Sequence, residues 1–369
     1  MRYRHTIFSA LLLALSSTAY AQRLSESSFR PGEVWNDTQG KAINAHGGGF
    51  LLYKGTYYWY GEHKTEGEAG NYAQVGVSCY SSRDLYNWKN EGIALPVSKD
   101  ESSDITKGCI LERPKVIYNA KTRKFVMWFH LELKGKGYVS ARTGIAVADK
   151  PTGPFRYIRS TRSTPGSYPV NMLDLHKGPH GEFKNGVHPD SVNLIGRDLE
   201  EGQMARDMQL FVDDDGKAYH ICASEENSTL HIAELTEDYT DFTGKYVRAF
   251  VNRYMEAPAL FKKDGLYYFM GSDCTGWNPN AARSAVAPSI WGPWRELGNP
   301  CEGDDKDLTF QSQSTYILPV SGKKNTFIYM GDRWNPKNAI DGRYIWLPIE
   351  FEGDRFVIRW HDKWSLDSK

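Results

Sequence analysis

The sequence predicts an all-β protein and, within that class, a five-bladed β-propeller. Short runs rich in Tyr, Phe, Val and Ile are bounded by Gly, Asp, Asn and Lys turns, and long helical periodicity is absent. Five of these runs follow a turn that is itself preceded by an apolar strand, which is the signature of repeated hairpins. Five repeats give about 70 residues per unit, which fits a four-stranded blade with long loops better than a β-sandwich.

The five hairpins share one register. Their second strands are TyrTyrTrpTyr (57–60), LysPheValMetTrpPhe (124–129), AlaTyrHisIleCys (218–222), LeuTyrTyrPheMet (266–270) and ThrPheIleTyrMet (326–330). Their turns align at Gly55, Lys121, Gly216, Gly265 and Gly322. The residues nine positions before these turns are all polar: His46, Glu112, Asp207, Glu256 and Gln313. Because the inner strands of a propeller converge on its axis, we expect these five side chains to meet in one central pocket.

The first residues have the features of a secretory signal. A basic start (Arg2 and Arg4) is followed by an apolar stretch from Ile7 to Leu15 and by Ala19-Tyr20-Ala21. The apolar stretch is too short for a membrane span. We therefore expect a signal peptide over residues 1–21 and a single propeller domain over 22–369. The mature chain is expected to be exported, with the periplasm and the outside of the cell both left open.

Charge and cysteine content exclude several classes of function. Lys+Arg and Asp+Glu are equal at 45 each, so neither a nucleic-acid nor a membrane partner is indicated, and a neutral partner is favoured. The five scattered cysteines predict at least one free thiol and no dense disulfide framework. No CxxC or HExxH motif occurs, and neither a metal nor a cofactor is predicted. We expect a monomer.

Three carboxylic acids on a common axis are suited to glycoside hydrolysis. That reaction needs a proton donor with a raised pKa and, on the opposite face of the sugar, a group that handles water. Like charges raise one another's pKa, so one of three neighbouring acids can stay protonated near neutral pH, and Glu256 is the candidate acid. The alternatives are structural: Arg113 beside Glu112 or Arg206 beside Asp207 could form ordinary ion pairs, and His46 could be a hydrogen-bonded core residue.

Eight motifs of the chain resemble those of a known family. They are AlaHisGlyGlyGly (45–49), GluArgProLysVal (112–116), ArgAspMetGlnLeuPheValAspAspAspGly (206–216), SerGluGluAsnSerThrLeu (224–230), GluAlaProAla (256–259), CysThrGlyTrpAsnProAsn (274–280), SerGlnSerThrTyr (312–316) and TyrMetGlyAspArgTrp (329–334). Together they resemble glycoside hydrolase family 43, and within it the branch of exo-β-1,3-galactanases. The resemblance runs from about residue 33 to the C-terminus. It implies a propeller and an inverting exo-hydrolase that removes galactose from β-1,3-galactan.

The resemblance also assigns catalytic roles. Glu256 matches the general acid, and Glu112 stands where the family has an Asp that tunes the pKa of the acid. Blade one has AsnAlaHis (44–46) where the family usually has an Asp that acts as general base. In the galactanase branch a glutamine takes the place of that Asp, and Gln313 matches this glutamine. A neutral amide is a negligible proton acceptor, so Gln313 is expected to position water or to substitute for the base, with Glu112 or Glu62 finally taking the charge.

A galactose site should combine stacking aromatics with charged hydrogen-bond partners. The candidates are His46, Tyr60, Glu62, Tyr138, Asp207, Thr275, Trp277, Arg333 and Trp334. Two other functions remain open at this stage. One is an α-L-arabinofuranosidase or β-xylosidase on the same fold, and the other is a non-catalytic galactan-binding propeller. The missing blade-one Asp disfavours the first, and the presence of both Glu112 and Glu256 disfavours the second.

Overall fold

A computed structural model describes residues 26–177 and 193–367, so the expected signal peptide lies outside the described residues. The described chain is almost entirely β, and its five sheets form a five-bladed β-propeller, as predicted from the repeats. None of the helices in these two ranges has the length and apolar character that crossing a bilayer requires. All five cysteines are free thiols.

Each blade is a sheet in which consecutive strands pair antiparallel from the axis outwards. Blade one contains β1 (His46–Tyr53), β2 (Thr56–His63), β3 (Gly76–Ser82) and β4 (Lys89–Pro96). Blade two contains β5 (Ile110–Asn119), β6 (Lys124–Glu132), β7 (Arg142–Ala148) and β8 (Arg156–Thr161). Blade three contains β9 (Met208–Val212), β10 (Ala218–Ser224), β11 (Thr229–Leu235) and β12 (Phe242–Ala249). Blade four contains β13 (Glu256–Lys263), β14 (Leu266–Ser272), β15 (Arg283–Ala287) and β16 (Arg295–Gly298).

Blade five has an extra outer strand. From the axis outwards it contains β18 (Gln313–Pro319), β19 (Phe327–Arg333), β20 (Arg343–Glu352), β21 (Arg355–Arg359) and β17 (Cys301–Glu302), the last parallel to β21. The chain ends meet beside this blade, where Phe29 and Trp364 exchange backbone hydrogen bonds of 2.8 and 3.1 Å. One short α-helix, Leu194–Arg197, lies between blades two and three.

Aromatic and aliphatic side chains fill the spaces between the blades. Five clusters of buried residues correspond to the five interfaces between neighbouring blades. The cluster between blades five and one contains Trp59, Trp88 and Trp346, whose rings lie 5.0–6.0 Å apart. Much of the aromatic content therefore serves blade packing, because large rings bury most apolar area per residue.

The inner strands share a local irregularity that opens the axis. In four of the five, the pairing with the next strand slips by one residue just after the strand begins. In three of them, the residue that follows the polar axial position is left-handed: Gly47 (φ 59°), Arg113 (φ 55°) and Ala257 (φ 52°). Such a bulge bends the strand and redirects its side chains, so the first residues face the axis while the rest pack in the core.

We predict that Gly47→Ala destabilises the fold more than Gly55→Ala. Both glycines have a positive φ, of 59° and 75°, so each alanine costs about 1 kcal/mol in backbone strain. At Gly47 the new Cβ would also lie 2.1 Å from Oε1 of Glu62, whereas at Gly55 it meets nothing within 4 Å. Glu62 cannot easily move, because Arg113 N and Lys64 Nζ hold its two oxygens.

The measurement is the free energy of unfolding in urea for the parent and both variants. The clash should add about 1–3 kcal/mol to the loss at position 47. Equal losses in the two variants would show that Glu62 moves aside freely and would contradict the rigid arrangement described here.

Candidate active site

The polar starts of the inner strands open into one cavity of about 280 Å³ on the propeller axis. Every blade contributes to it: Glu62 from blade one, Glu112 from blade two, Asp207 from blade three, Glu256 from blade four and Gln313 from blade five. The other lining residues are Lys64, Arg113, Tyr138, Arg206, Asn227, Gly276, Trp277 and Trp334. The nine-residue register therefore located four of the five blade contributions, and on blade one the contributor is Glu62 of β2 in place of His46.

Arg113 connects the walls of this cavity. Its guanidinium donates to Asp207 Oδ2 (2.9 Å), to Gln313 Oε1 (2.6 Å) and to the Ser314 carbonyl (2.8 Å), and its backbone N–H donates to Glu62 Oε1 (3.0 Å). Burial lowers the pKa of Arg113, but the surrounding carboxylates, Asp207 first, raise it overall. A single buried cation thus joins blade two to blades one, three and five. The ion pair of Arg113 is formed with Asp207, and the structural alternative in which it pairs with its sequence neighbour Glu112 is not found among the described residues.

Glu112 is stabilised as an anion by a buried series of hydrogen-bonded side chains. Its Oε1 accepts a 2.7 Å hydrogen bond from Tyr138, and its Oε2 lies 3.1 Å from Nδ1 of His130. Nε2 of His130 lies 3.0 Å from the fully buried Glu132. Burial raises the pKa of Glu112, but the hydrogen bond and charge of His130 outweigh it and set this pKa at about 2. Burial lowers the pKa of His130, and the two carboxylates raise it to about 9.

Glu256 has the opposite electrostatic environment. Burial raises its pKa, the charge of Asp207 adds to the rise, and the result is about 7 although Arg113 acts against it. Its Oε1 accepts a 2.6 Å hydrogen bond from Nδ2 of Asn227. The pKa values of the two carboxyl groups in this cavity are therefore shifted in opposite directions, that of Glu112 down and that of Glu256 up, which is the pattern expected of an acid and its partner.

Asn227 is held in place by a strained loop. Glu225, Glu226 and Asn227 are three successive left-handed residues, with φ of 49°, 56° and 64°. The buried carboxylate of Glu225 anchors the loop: it lies 2.8 Å from His231 Nε2 and accepts two hydrogen bonds, of 2.7 and 2.6 Å, from Arg248. Backbone strain of this kind persists only where the surrounding structure holds it. In this loop the strained conformation places the Asn227 amide against the candidate acid Glu256.

Gln313 presents a donor to the cavity. Its Oε1 accepts from both Arg113 (2.6 Å) and the indole of Trp334 (2.9 Å), which uses both lone pairs of the amide oxygen. Its Nε2 donates to Ser272 Oγ at 2.9 Å. Because both partners of Oε1 are obligatory donors, the orientation of the amide is fixed. One Nε2 hydrogen remains for water or substrate, and the base alternative for Gln313 has no lone pair available on oxygen.

An aromatic wall closes one side. The rings of Trp277 and Trp334 meet edge to face with centroids 5.7 Å apart. Nζ of Lys64 lies 5.5 Å and the guanidinium carbon of Arg113 5.4 Å from the Trp334 ring centroid. Trp277 is 37% exposed, so part of its ring is free to contact a ligand.

Four predicted substrate contacts lie outside the cavity. His46 is buried against blade five, with Nδ1 3.5 Å from Asp332 and its ring stacked on Tyr344. Tyr60 is fully buried in the interface between blades one and two, where its hydroxyl donates to the Pro151 carbonyl. Thr275 bonds to its own loop at Asn278 and Asn280. Arg333 lines a different cavity on blade five, because adjacent residues of a strand point to opposite faces.

Sequence reasoning also missed four charged or polar lining residues: Lys64, Arg113, Arg206 and Asn227. Three of them lie within two positions of a predicted site residue, and Asn227 lies within one of the family motifs. Closeness in sequence to these residues and motifs could therefore have identified all four. The six predicted residues besides Glu256 and Gln313 that do line the cavity are Glu62, Glu112, Tyr138, Asp207, Trp277 and Trp334.

The axial cavity holds one carboxyl group with a raised pKa and a second with a lowered pKa, which are the two groups that a glycoside hydrolase requires. Comparison with known proteins is consistent with this class. The model of glycosyl hydrolases family 43 matches residues 179–348. A solved family-43 β-1,3-galactosidase in complex with galactodeoxynojirimycin is 54% identical, with 92% of this chain and 100% of that chain covered and a TM-score of 0.88. The chain belongs to glycoside hydrolase family 43.

Other relatives agree with this assignment. An exo-β-1,3-galactanase from Clostridium thermocellum is 37% identical, with 92% of this chain and 66% of that one covered and a TM-score of 0.76. One from Phanerochaete chrysosporium, solved with β-1,3-galactotriose, is 31% identical, with 92% and 68% covered and a TM-score of 0.75. A curated relative, a β-D-galactofuranosidase from Aspergillus niger, is 34% identical over 144 residues, which cover 38% of this chain and 40% of that protein.

We predict that kcat/KM falls as the pH rises through about 7, because the acid Glu256 must be protonated to act. Asp207→Asn removes the charge that helps to raise the pKa of Glu256, yet keeps an acceptor for Arg113 and for the Ala257 N–H. The alkaline limb should therefore move to lower pH. The measurement is a pH profile of kcat/KM.

Asp215→Asn is the matched control, since Asp215 is an exposed carboxylate at the turn of the same blade. It should leave the alkaline limb where it is in the parent. A limb that stays in place in Asp207→Asn as well would contradict the coupling between Asp207 and Glu256, whatever happens to the maximal rate.

Proposed function

We propose that this family-43 hydrolase releases galactose from the ends of β-1,3-galactan chains with inversion at the anomeric carbon. The observation that carries the proposal is the pair of carboxyl groups with separated pKa values in an axial cavity of about 280 Å³. A cavity of this size on the propeller axis accommodates a single sugar ring, which agrees with exo-action. The 54% identity to a β-1,3-galactosidase over the whole of that chain supports the same substrate.

In this mechanism Glu256 protonates the glycosidic oxygen as the bond to the anomeric carbon breaks. Asn227 donates to Oε1 of Glu256 and so helps to fix the orientation of the acid in the cavity. Burial raises the pKa of Glu256, Asp207 raises it further and Arg113 lowers it, and Asp207 and Arg113 form an ion pair of 2.9 Å beside the acid. Proton donation of this kind contributes typically 10²–10⁴-fold to the rate.

The attacking water is positioned by Gln313 and delivers its proton to a carboxylate. The free Nε2 hydrogen of Gln313 can orient the water oxygen, while Oε1 is committed to Arg113 and Trp334. The acceptor is an anion already in the cavity, and Glu112 and Glu62 are the candidates, although a pKa of about 2 makes Glu112 a weak base. Glu112 has Tyr138 and His130 on its two oxygens, and Glu62 has Arg113 N and Lys64. The bond from water to the anomeric carbon then forms on the face opposite the leaving group.

Recognition of the sugar would combine the aromatic wall with the charged rim. Trp277 and Trp334 offer a surface for the apolar face of galactose, and Asp207, Tyr138 and Lys64 offer hydrogen bonds to its hydroxyls. The distribution of polar groups around an apolar wall is the arrangement that discriminates one sugar epimer from another.

A second candidate substrate is a β-D-galactofuranoside. It is favoured by the 34% identity to a β-D-galactofuranosidase, although that match covers only 38% of this chain. The arabinofuranoside and xyloside alternatives have no comparable support among the relatives named above. We also propose export through the segment 1–21, on the pattern of its sequence alone.

We predict that the purified enzyme releases galactose from debranched β-1,3-galactan and that Glu256→Gln reduces kcat by at least about 10²-fold, because the proton donor is lost. Gln313→Ala should also lose most activity. The measurement is galactose release by chromatography, with the anomer followed by proton NMR immediately after cleavage. An α-anomer as the first product indicates inversion of the β-linkage.

Glu234→Gln, a substitution on the outer part of blade three, is the control and should retain parental activity. Release of galactofuranose from p-nitrophenyl β-D-galactofuranoside without activity on galactan would transfer the function to the second candidate. Full activity in Glu256→Gln would contradict the assignment of the acid.

A further inference from the structure

A second cavity, of about 540 Å³, lies on blade five beside the axial one. It is bordered by the segment that follows β17 and by the ends of β19 and β21. The two cavities share no lining residue, yet they lie on opposite faces of one strand end: Arg333 lines the second cavity and Trp334 lines the axial one. Whatever occupies the second cavity would therefore lie close to the entrance of the catalytic site.

The wall of this cavity has an exposed aromatic platform. Trp360 is 36% exposed, its Nε1 donates to Asp362 at 2.7 Å, and the buried ring of Phe310 lies 5.9 Å behind it. Because the polar edge of the indole is already bonded, what remains for a ligand is the apolar ring. An anchored ring of this kind is suited to stacking on the apolar face of a sugar.

Hydrogen-bonding groups surround that platform. Asp304 and Asp305 supply carboxylate oxygens, and Arg333 supplies a guanidinium whose NH2 group donates to the Phe310 carbonyl at 2.9 Å. Nε of Arg333 is buried and has no hydrogen-bond partner within residues 26–177 and 193–367. Acceptors and donors thus line the same cavity as the indole ring, which suits the hydroxyl groups of a neutral sugar. The carboxylates disfavour a polyanion, and the guanidinium of Arg333 disfavours a metal cation.

The segment that shapes the cavity is strained. Thr309, Phe310 and Gln311 are three successive non-glycine residues in the left-handed region, with φ of 50°, 55° and 58°. Thr309 is anchored on blade four by a 2.7 Å hydrogen bond to the Asn280 carbonyl. Left-handed non-glycine residues cost free energy and persist only where the surrounding structure holds them. Such strained residues are found mainly at active and ligand-binding sites. The same segment continues directly into Gln313, so the two cavities are shaped by one stretch of chain.

We infer that the blade-five cavity binds a galactose unit of the polymeric substrate outside the catalytic cavity, an inference that rests on the proposed function. An axial cavity for a single sugar leaves the remainder of a galactan chain on the protein surface. A second site next to the entrance holds that remainder and raises the effective concentration of chain ends at Glu256. The ligand class is a neutral β-linked galacto-oligosaccharide.

The test compares a polymer with a disaccharide in Trp360→Ala. KM for debranched β-1,3-galactan should rise about five- to tenfold, because a stacking platform is lost, while kcat/KM for β-1,3-galactobiose stays at the parental value. Tyr118→Ala, in a separate cavity at the other ends of the inner strands, is the matched aromatic control and should change neither value. No rise for the polymer, or an equal loss on the disaccharide, overturns the inference.

Binding without turnover separates this inference from the proposed function. Affinity electrophoresis in gels containing galactan is run on Glu256→Gln and on Glu256→Gln/Trp360→Ala, with xylan as the reference polysaccharide. Retardation by galactan that disappears with Trp360 supports the site even if the parent hydrolyses neither galactan nor galactobiose. Equal mobility of the two proteins in galactan overturns the site even if the parent is an active exo-galactanase.

Discussion

The buried guanidinium of Arg113 is the interaction on which the axial cavity depends. A propeller brings the starts of its inner strands together, and in this chain they bring Glu62, Glu112, Asp207 and Glu256 to one small volume. Glu256 can remain neutral by keeping its proton, but unpaired burial of the other three charges would cost many kcal/mol, so those anions require fixed cations between them. Arg113 bonds to three other blades, and Lys64 and His130 neutralise the remaining carboxylates. Arg113 therefore both neutralises buried negative charge and connects the blades.

The backbone makes this arrangement possible. A regular strand would turn alternate residues towards the two neighbouring blades and would leave the axis lined by main chain. The one-residue slips after His46, Glu112 and Glu256 break that alternation at the cavity end of each strand. The left-handed residue within the slip then points its own N–H inwards, as the contacts of Gly47 N with Asp332 and of Ala257 N with Asp207 illustrate. The repeated irregularity is thus a structural feature that provides donors for buried carboxylates.

The fold and part of the site could be predicted from the sequence because both depend on local patterns. Strand alternation and turn residues determine the blades, and the fixed distance from turn to axis identified Glu112, Asp207, Glu256 and Gln313. Pairing across blades has no local signature: Arg113 reaches partners 94 and 200 positions away, and its sequence neighbour Glu112 is neutralised by His130 on the adjacent strand. Proximity to a motif also misled the interpretation at Tyr60 and Arg333. The first lies two residues deeper than Glu62, and the second faces away from Trp334.

The neutral amide at position 313 follows from the electrostatics of the acid. Burial and the charge of Asp207 already raise the pKa of Glu256 to about 7, although Arg113 acts against them. A carboxylate at position 313 would accept the same hydrogen bonds from Arg113 and Trp334, but it would lose the donor to Ser272 and add a second negative charge beside Glu256. The pKa of the acid would then rise further, and a proton bound that tightly is transferred less readily to a leaving group. Glutamine makes the same hydrogen bonds without raising the pKa of Glu256 further. Because its amide is a poor proton acceptor, the proton of the attacking water must go to a carboxylate that the cavity already contains.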